Sequence, residues 1–219
     1  NPDRTLQNAL LHYDPGLAGL PRAGIVHRLD KDTTGLMVVA RSQAAHKRLV
    51  DAIAAREVHR EYRALVVGNM PAGGTIDLPI GRHPVHRKRM STRTPGGRVA
   101  ETSWRVRKRL NGVTLLELTL KTGRTHQIRV HCSAMGHSIV GDQVYRSRKW
   151  MQNIDRLFPG KSSATAARLK AVSRQMLHAW QLGITHPETG EFMTFESPVP
   201  ADMEELIEKL EGESKSECG

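Results

Sequence analysis

Two alternating runs, AETSWRVRKRL and VTLLELTL, flank Asn111-Gly112 within residues 99–121. Side chains of a strand point alternately to its two faces, and Asn-Gly suits the positive-φ positions of a two-residue turn. The spacing predicts a long antiparallel hairpin. EYRALVVG (61–68) reads as a further strand, ended by Gly68 and Pro71. HAWQLGITH and EFMTFESP read as two more, joined by the turn Pro187-Glu188-Thr189-Gly190. Residues 24–41 read as a short strand (GIVHRL), a polar turn and an apolar run (GLMVVA).

Helical spacing recurs three times. Ser42 is a candidate N-cap for a helix over 43–56 that carries Ala45, Leu49, Ala52 and Ile53. Gly123 to Gly136 is expected to open as a turn and continue as a helix with Ile128, Cys132 and Met135 on one face. Asp202 opens a final helix with Met203, Leu206, Ile207 and Leu210 inward. Strands outnumber helices and several pair as hairpins, so the expected class is α+β, a mixed, largely antiparallel sheet flanked by helices. The 219 residues suffice for a buried core, here read as one domain over 1–211 and a disordered acidic tail over 212–219. The polar, mildly basic stretch Met151 to Ala171 is expected as a surface insertion.

Charge narrows the partners. Lys and Arg number 33 against 22 Asp and Glu, a net +11. Setting aside the seven acids and two lysines of residues 201–219 leaves 31 basic against 15 acidic residues, or +16. A body that basic is expected to face a polyanion, nucleic acid before a membrane surface, since no basic amphipathic helix stands out. Arg82 to Arg98 concentrates six Lys/Arg and two His with no acid between Asp77 and Glu101. It reads as a phosphate-contacting arm that includes Arg87, Lys88 and Arg89. No run approaches eighteen apolar residues and no leader opens the chain, so no membrane attachment is expected. Two cysteines, Cys132 and Cys218, make no disulfide framework and suit a reducing compartment. Neither CxxC nor HExxH occurs.

Against this background HRLDKDTTGL (27–36) is unusual, because it sets Asp30 and Asp32 among cations. A calcium loop would begin D-x-D-x-T-G but needs a glutamate at its twelfth position, where Arg41 stands. Structural roles are open to both acids: Asp32 capping a turn, and Asp30 pairing with Arg28 or Lys31. Alternatively Asp30 is a nucleophile or base, which requires a cation that keeps it ionised and aimed. GRTHQIRVH (123–131), with Arg124, His126, Arg129 and His131, is the best source of one.

HRLDKDTTGLMVVAR (27–41), REYRALVVG (60–68) and TGRTHQIRVH followed by GHSIVGDQVY (122–145) resemble, in that order, the RluA family of pseudouridine synthases. Within it they are similar to the branch that acts on large-subunit ribosomal RNA, and the resemblance runs from about Leu6 to Leu210. It implies the pseudouridine synthase catalytic fold and isomerisation of specific uridines in 23S ribosomal RNA, in the stem-loop called helix 69. No cofactor is needed for that reaction. The implied partner is 23S RNA or a pre-50S particle in the cytoplasm, and a monomer is the default expectation.

By the same resemblance Asp30 matches the essential aspartate, Tyr62 the tyrosine that packs against the target base, and Arg129 the basic residue paired with the aspartate. Arg28 and Arg124 match basic positions near the RNA, and Lys31 and His126 join them as RNA-binding candidates. Relatives carry an S4-like domain and a Lys-Pro-x-Gly strand ahead of the Asp segment. Both are absent here, so the chain is expected to be the catalytic domain alone. Three rivals stay open: a non-catalytic RNA-binding domain, a two-carboxylate glycosidase using Asp32, and a ribonuclease using His126 and His131.

Overall fold

The computed structural model describes residues 5–146, 154 and 163–216. Among the described residues nine strands form, β1 (Thr34–Gly35), β2 (His59–Val67), β3 (Gly73–Asp77), β4 (Gly81–Arg82), β5 (Met90–Ser91), β6 (Glu101–Leu110), β7 (Val113–Leu120), β8 (Leu177–Thr185) and β9 (Phe192–Glu196). Seven make one sheet in the order β1-β8-β2-β7-β6-β3, with β9 also pairing β8, while β4 and β5 form a small separate ribbon. The pairing of β1 with β8 is parallel and the others are antiparallel. The α+β class and the 99–121 hairpin are as expected, Leu110 facing Val113 across the Asn111-Gly112 turn.

The helices are α1 (Leu6–Tyr13), α2 (Gln43–Ala55), α3 (Gln127–Ala134), α4 (Ser163–Ala171) and α5 (Ala201–Ser216). Ser42 caps α2 by accepting from the Ala45 N–H, as its sequence position suggested. Alternation along the central strands sorts the core into two layers. Leu65, Val67, Val113 and Leu115 pack against Leu169 of α4 and Met203, Leu206 and Leu210 of α5. Ala64, Val66, Leu116 and Leu118 face the other way, against Ile128 and Cys132 of α3. Burying both faces of β2 and β7 makes them the rigid centre from which the site is built.

Three expectations change. Residues 24–41 are mostly irregular, with only the Ile25–Val39 bridge and the short β1. A side chain replaces the missing ladder there: the Val38 N–H donates to His27 Nε2 at 2.9 Å. Of the stretch 151–171, residue 154 and 163–171 are described, the others lying outside the described residues. Its described part is no surface insertion, since Ile154, Ala166 and Leu169 are buried in the core. Finally, α5 runs through Gly212 to Ser216, so the tail is helical where disorder was expected; residues 217–219 lie outside the described residues. Leu210 is fully buried, and Glu213 accepts from Thr165 and Arg168, which ties that last turn to α4.

Candidate active site

Asp30 stands in the irregular segment just before β1, and several bonds hold that segment in place. Thr33 N–H closes a turn on the Asp30 carbonyl at 3.0 Å. The Gln175 amide donates to the Lys31 carbonyl at 2.6 Å and to Thr33 Oγ1 at 3.0 Å. Thr34 Oγ1 lies 2.9 Å from His178 Nδ1, and the Leu36 N–H donates to the Ala179 carbonyl. Gly35 is required at this join: its φ is +110°, and a Cβ there would lie 2.1 Å from the Ala179 carbonyl oxygen. The Thr-Thr-Gly therefore seats the aspartate loop against β8.

Arg129 meets Asp30 from α3. Its Nη1 donates to Asp30 Oδ2 at 3.3 Å, and the two side chains are only 5% and 12% exposed. The same guanidinium is held more firmly from behind. Arg129 Nε and Nη2 donate to the two oxygens of Asp142 at 2.7 and 3.0 Å. The Asp142 carboxylate also accepts from the backbone N–H groups of Val144 and Tyr145 at 2.8 and 2.9 Å. Burial pulls the Arg129 pKa down, but its bonds to Asp142 and the charges of both acids outweigh that and leave it raised. One permanently charged guanidinium thus orients two carboxylates, one fully buried and one at the cleft wall.

Tyr62 projects from the face of β2 that also carries Ala64, and it lines the same cleft as Asp30. Burial, with a further push from Asp30 against the pull of Arg60, moves its phenol up to about 12. It therefore stays protonated at neutral pH: its ring is a packing surface and its O–H a donor, and it is a poor unaided base. His126, in a left-handed conformation (φ 58°), precedes α3 and has Nδ1 2.8 Å from the Tyr145 hydroxyl. That hydroxyl accepts from the Met90 N–H at 2.8 Å. Burial lowers the His126 pKa, so its imidazole is neutral at pH 7.

The cleft has a volume of about 540 Å³, within the ~300–1,000 Å³ usual for small-ligand sites. Its lining holds seven Lys or Arg side chains, among them Arg28 and Arg124, and one acid, Asp30. Arg124 is held by its Nε donating to the Val99 carbonyl. Its pKa is lowered by partial burial and then by the charges of Arg98 and Arg56.

Not every candidate reaches this place. Asp30 pairs with neither Arg28 nor Lys31; Lys31 is exposed and lies outside the cleft lining. Arg87, Lys88 and Arg89 also lie outside it: the first two are exposed, and the Arg89 guanidinium sits 5.6 Å from the centre of the Tyr145 ring. Asp32 is exposed at φ 68° and does not line the cleft, which removes the second acid of a glycosidase. His131 is fully buried, with its ring nitrogens at Thr102 Oγ1 and the Leu78 carbonyl, which removes the second histidine of a ribonuclease. Asp142, Tyr145 and Arg60 escaped the sequence reading. GDQVY carried a signal for the first two, a lone acid and a tyrosine beside apolar neighbours, and Arg60 stands two residues before Tyr62 on the same strand face.

Residues 4–134 match the family model described as RNA pseudouridylate synthase. This chain belongs to that family. Over 210 residues it is 50% identical to the ribosomal large subunit pseudouridine synthase D of Escherichia coli (strain K12), covering 96% of this chain and 62% of that protein. The protein of the same name from Xanthomonas campestris pv. campestris is 48% identical over 214 residues, which cover 98% of this chain and 62% of that one. Among solved structures, human RNA pseudouridylate synthase domain containing 1 superposes with a TM-score of 0.66 at 30% identity, over 89% of this chain and 74% of the other. As a member of the RNA pseudouridylate synthase family, the chain thus spans about three-fifths of the length of its curated bacterial relatives. The family's fold accounts for the sheet described above, and Asp30, Tyr62 and Arg129 all fall within the matched segment.

Proposed function

We propose that this chain isomerises uridines to pseudouridine in large-subunit (23S) ribosomal RNA, with Asp30 as the catalytic group. The observation that carries the reading is a single carboxylate, braced by Arg129, in a cleft whose lining otherwise holds seven Lys or Arg side chains and no second acid among the described residues. A polyanion fits those cations, and an isomerase that consumes no second substrate needs only one carboxylate.

The N1–C1′ bond of the uridine breaks, the freed uracil rotates, and C5 bonds to C1′. C5 then loses its proton and N1 gains one, so atoms balance without a cofactor. Asp30 either attacks C1′ or supports a glycal-type intermediate, and both routes call for an ionised, oriented carboxylate. Tyr62 packs against the base and offers a phenol hydrogen bond. A uracil inside a helix is out of reach, so the target base is flipped out, at about a few kcal/mol and less in a loop. Arg28 or Arg124 stacks in the vacated place through its guanidinium plane. Loop targets suit this chemistry, and we assign the helix 69 stem-loop, free or within a pre-50S particle, as the substrate of a cytoplasmic, monomeric enzyme. Among the described residues no helix is long and apolar enough to cross a membrane.

The test is Asp30→Asn, incubated with unmodified 23S ribosomal RNA and mapped by carbodiimide primer extension. The variant should bind the RNA and form no pseudouridine. Wild-type product levels from it would remove Asp30 from the mechanism. Cleaved RNA, or a wild-type chain that binds but never isomerises, would favour a nuclease or a non-catalytic binding domain instead.

A further inference from the structure

We propose that Arg60 anchors one backbone phosphate of the bound RNA at the floor of the cleft, beside the target base; this rests on RNA being the substrate. Arg60 lines the cleft yet is only 7% exposed. Its Nε is buried without an acceptor, no carboxylate among the described residues forms an ion pair with it, and the Tyr62 phenol near it is neutral at pH 7. A guanidinium cannot shed its charge at working pH, so an unpaired one in such a place is costly unless a ligand supplies the counter-charge.

Among the described residues the cleft lining offers Asp30 as its one acid. Asp30 is engaged by Arg129. His27, beside Arg60, is neutral at pH 7: burial, then the charge of Arg60, push it down to about 4, and its Nε2 already accepts from Val38. The chain also shapes a seat for the guanidinium, because a Cβ on Gly123 would lie 2.7 Å from Arg60 Nη1. Arg56, Arg98 and Arg124, all more exposed than Arg60, line the same cleft and can hold the neighbouring phosphates of a strand that reaches it. A phosphodiester fits better than a uracil carbonyl, since it carries a full negative charge before any bond breaks, whereas the base becomes anionic only during reaction.

The experiment pairs Arg60→Met and Arg60→Lys with helix 69 stem-loop RNAs, each neutralised at a single phosphate by methylphosphonate. Losing one charge-assisted contact should weaken wild-type binding roughly 10- to 100-fold at one phosphate position. Arg60→Met should bind the unmodified RNA weaker by the same factor and be indifferent to neutralisation at that position, while Arg60→Lys recovers part of the loss. The ligand-free Met variant, relieved of an unpaired charge, should melt about 2–4 °C higher than wild type. The proposal is overturned if every methylphosphonate costs the variant as much as wild type. It is overturned equally if only the rate at saturating RNA falls, which would place the guanidinium on the base, or if the variant melts lower with no coupling, which would make Arg60 structural. The coupling is read from binding alone, so a wild-type chain that binds but forms no pseudouridine defeats the proposed activity without touching Arg60. A chain that binds none of these RNAs defeats both.

Discussion

Replacing Asp142 by asparagine removes one charge and one acceptor from a carboxylate that accepts two guanidinium and two backbone hydrogen bonds. If the remaining oxygen takes the Oδ1 place, it keeps Val144, Tyr145 and Arg129 Nη2. The new amide nitrogen then faces Arg129 Nε across the former 2.7 Å contact, donor against donor. Removing one partner of a buried pair costs about 3–5 kcal/mol. The one charge-assisted bond lost, at roughly 1.5–3 kcal/mol, together with about 1–3 kcal/mol for the buried Nε left unsatisfied, gives a similar figure. Against a total stability of about 5–15 kcal/mol this leaves the variant folded at room temperature in all but the least favourable case. For a chain of this size the melting temperature should fall by about 6–20 °C.

Urea titration of wild type, Asp142→Asn, Arg129→Met and the double variant gives the pair's coupling directly. It should reach at least about 2 kcal/mol, because neither single variant leaves the other partner satisfied. Where Asp142→Asn is still folded, pseudouridine formation should drop on the order of 10²-fold, the penalty for a catalytic group displaced by about 1 Å. A stability loss under about 1 kcal/mol, or strictly additive single effects, would refute the view that Asp142 is what holds Arg129 against Asp30.

Two further outcomes can be measured without locating the modified uridines. Burial holds His27 at about 4 in the folded protein against 6.5 when free, so below pH 6.5 the unfolded chain binds the extra proton and stability falls until about pH 4. Folding stability measured between pH 7 and 4 should show a loss of about 3 kcal/mol that His27→Gln lacks, and an identical slope in the variant would contradict it. Neutralising Arg87, Lys88 and Arg89 together should reduce the slope of log K against log salt for RNA binding by about two to three if all three meet phosphates. An unchanged slope would take that arm, which lies outside the cleft lining, off the RNA path.

Much of the fold was legible because its signals are short-ranged. Alternation and Asn111-Gly112 specified β6 and β7, Ser42 specified the start of α2, and apolar spacing placed α3 and α5. The 24–41 segment misled because the apolar run there is served by His27 and by docking on β8, and a β ladder contributes little. Residues 163–171 misled because Ala166 and Leu169 are too few among Ser, Arg and Lys to register as a buried helical face.

The sequence alone determined the local elements, the basic character and the identity of Asp30, Tyr62 and Arg129 as candidates, since periodicity, turn chemistry and motif are properties of neighbouring residues. Apart from the Asp30–Arg129 pair that the family resemblance implied, only the tertiary structure decided which charges are paired. Asp30 and Arg129 are 99 positions apart and meet because the loop before β1 docks on β8 while α3 packs over β2 and β7. The same packing buries Asp142 behind Arg129 and leaves Arg60 Nε without an acceptor among the described residues. Burial and ion pairing depend on which faces come together, and no local pattern in the chain carries that information.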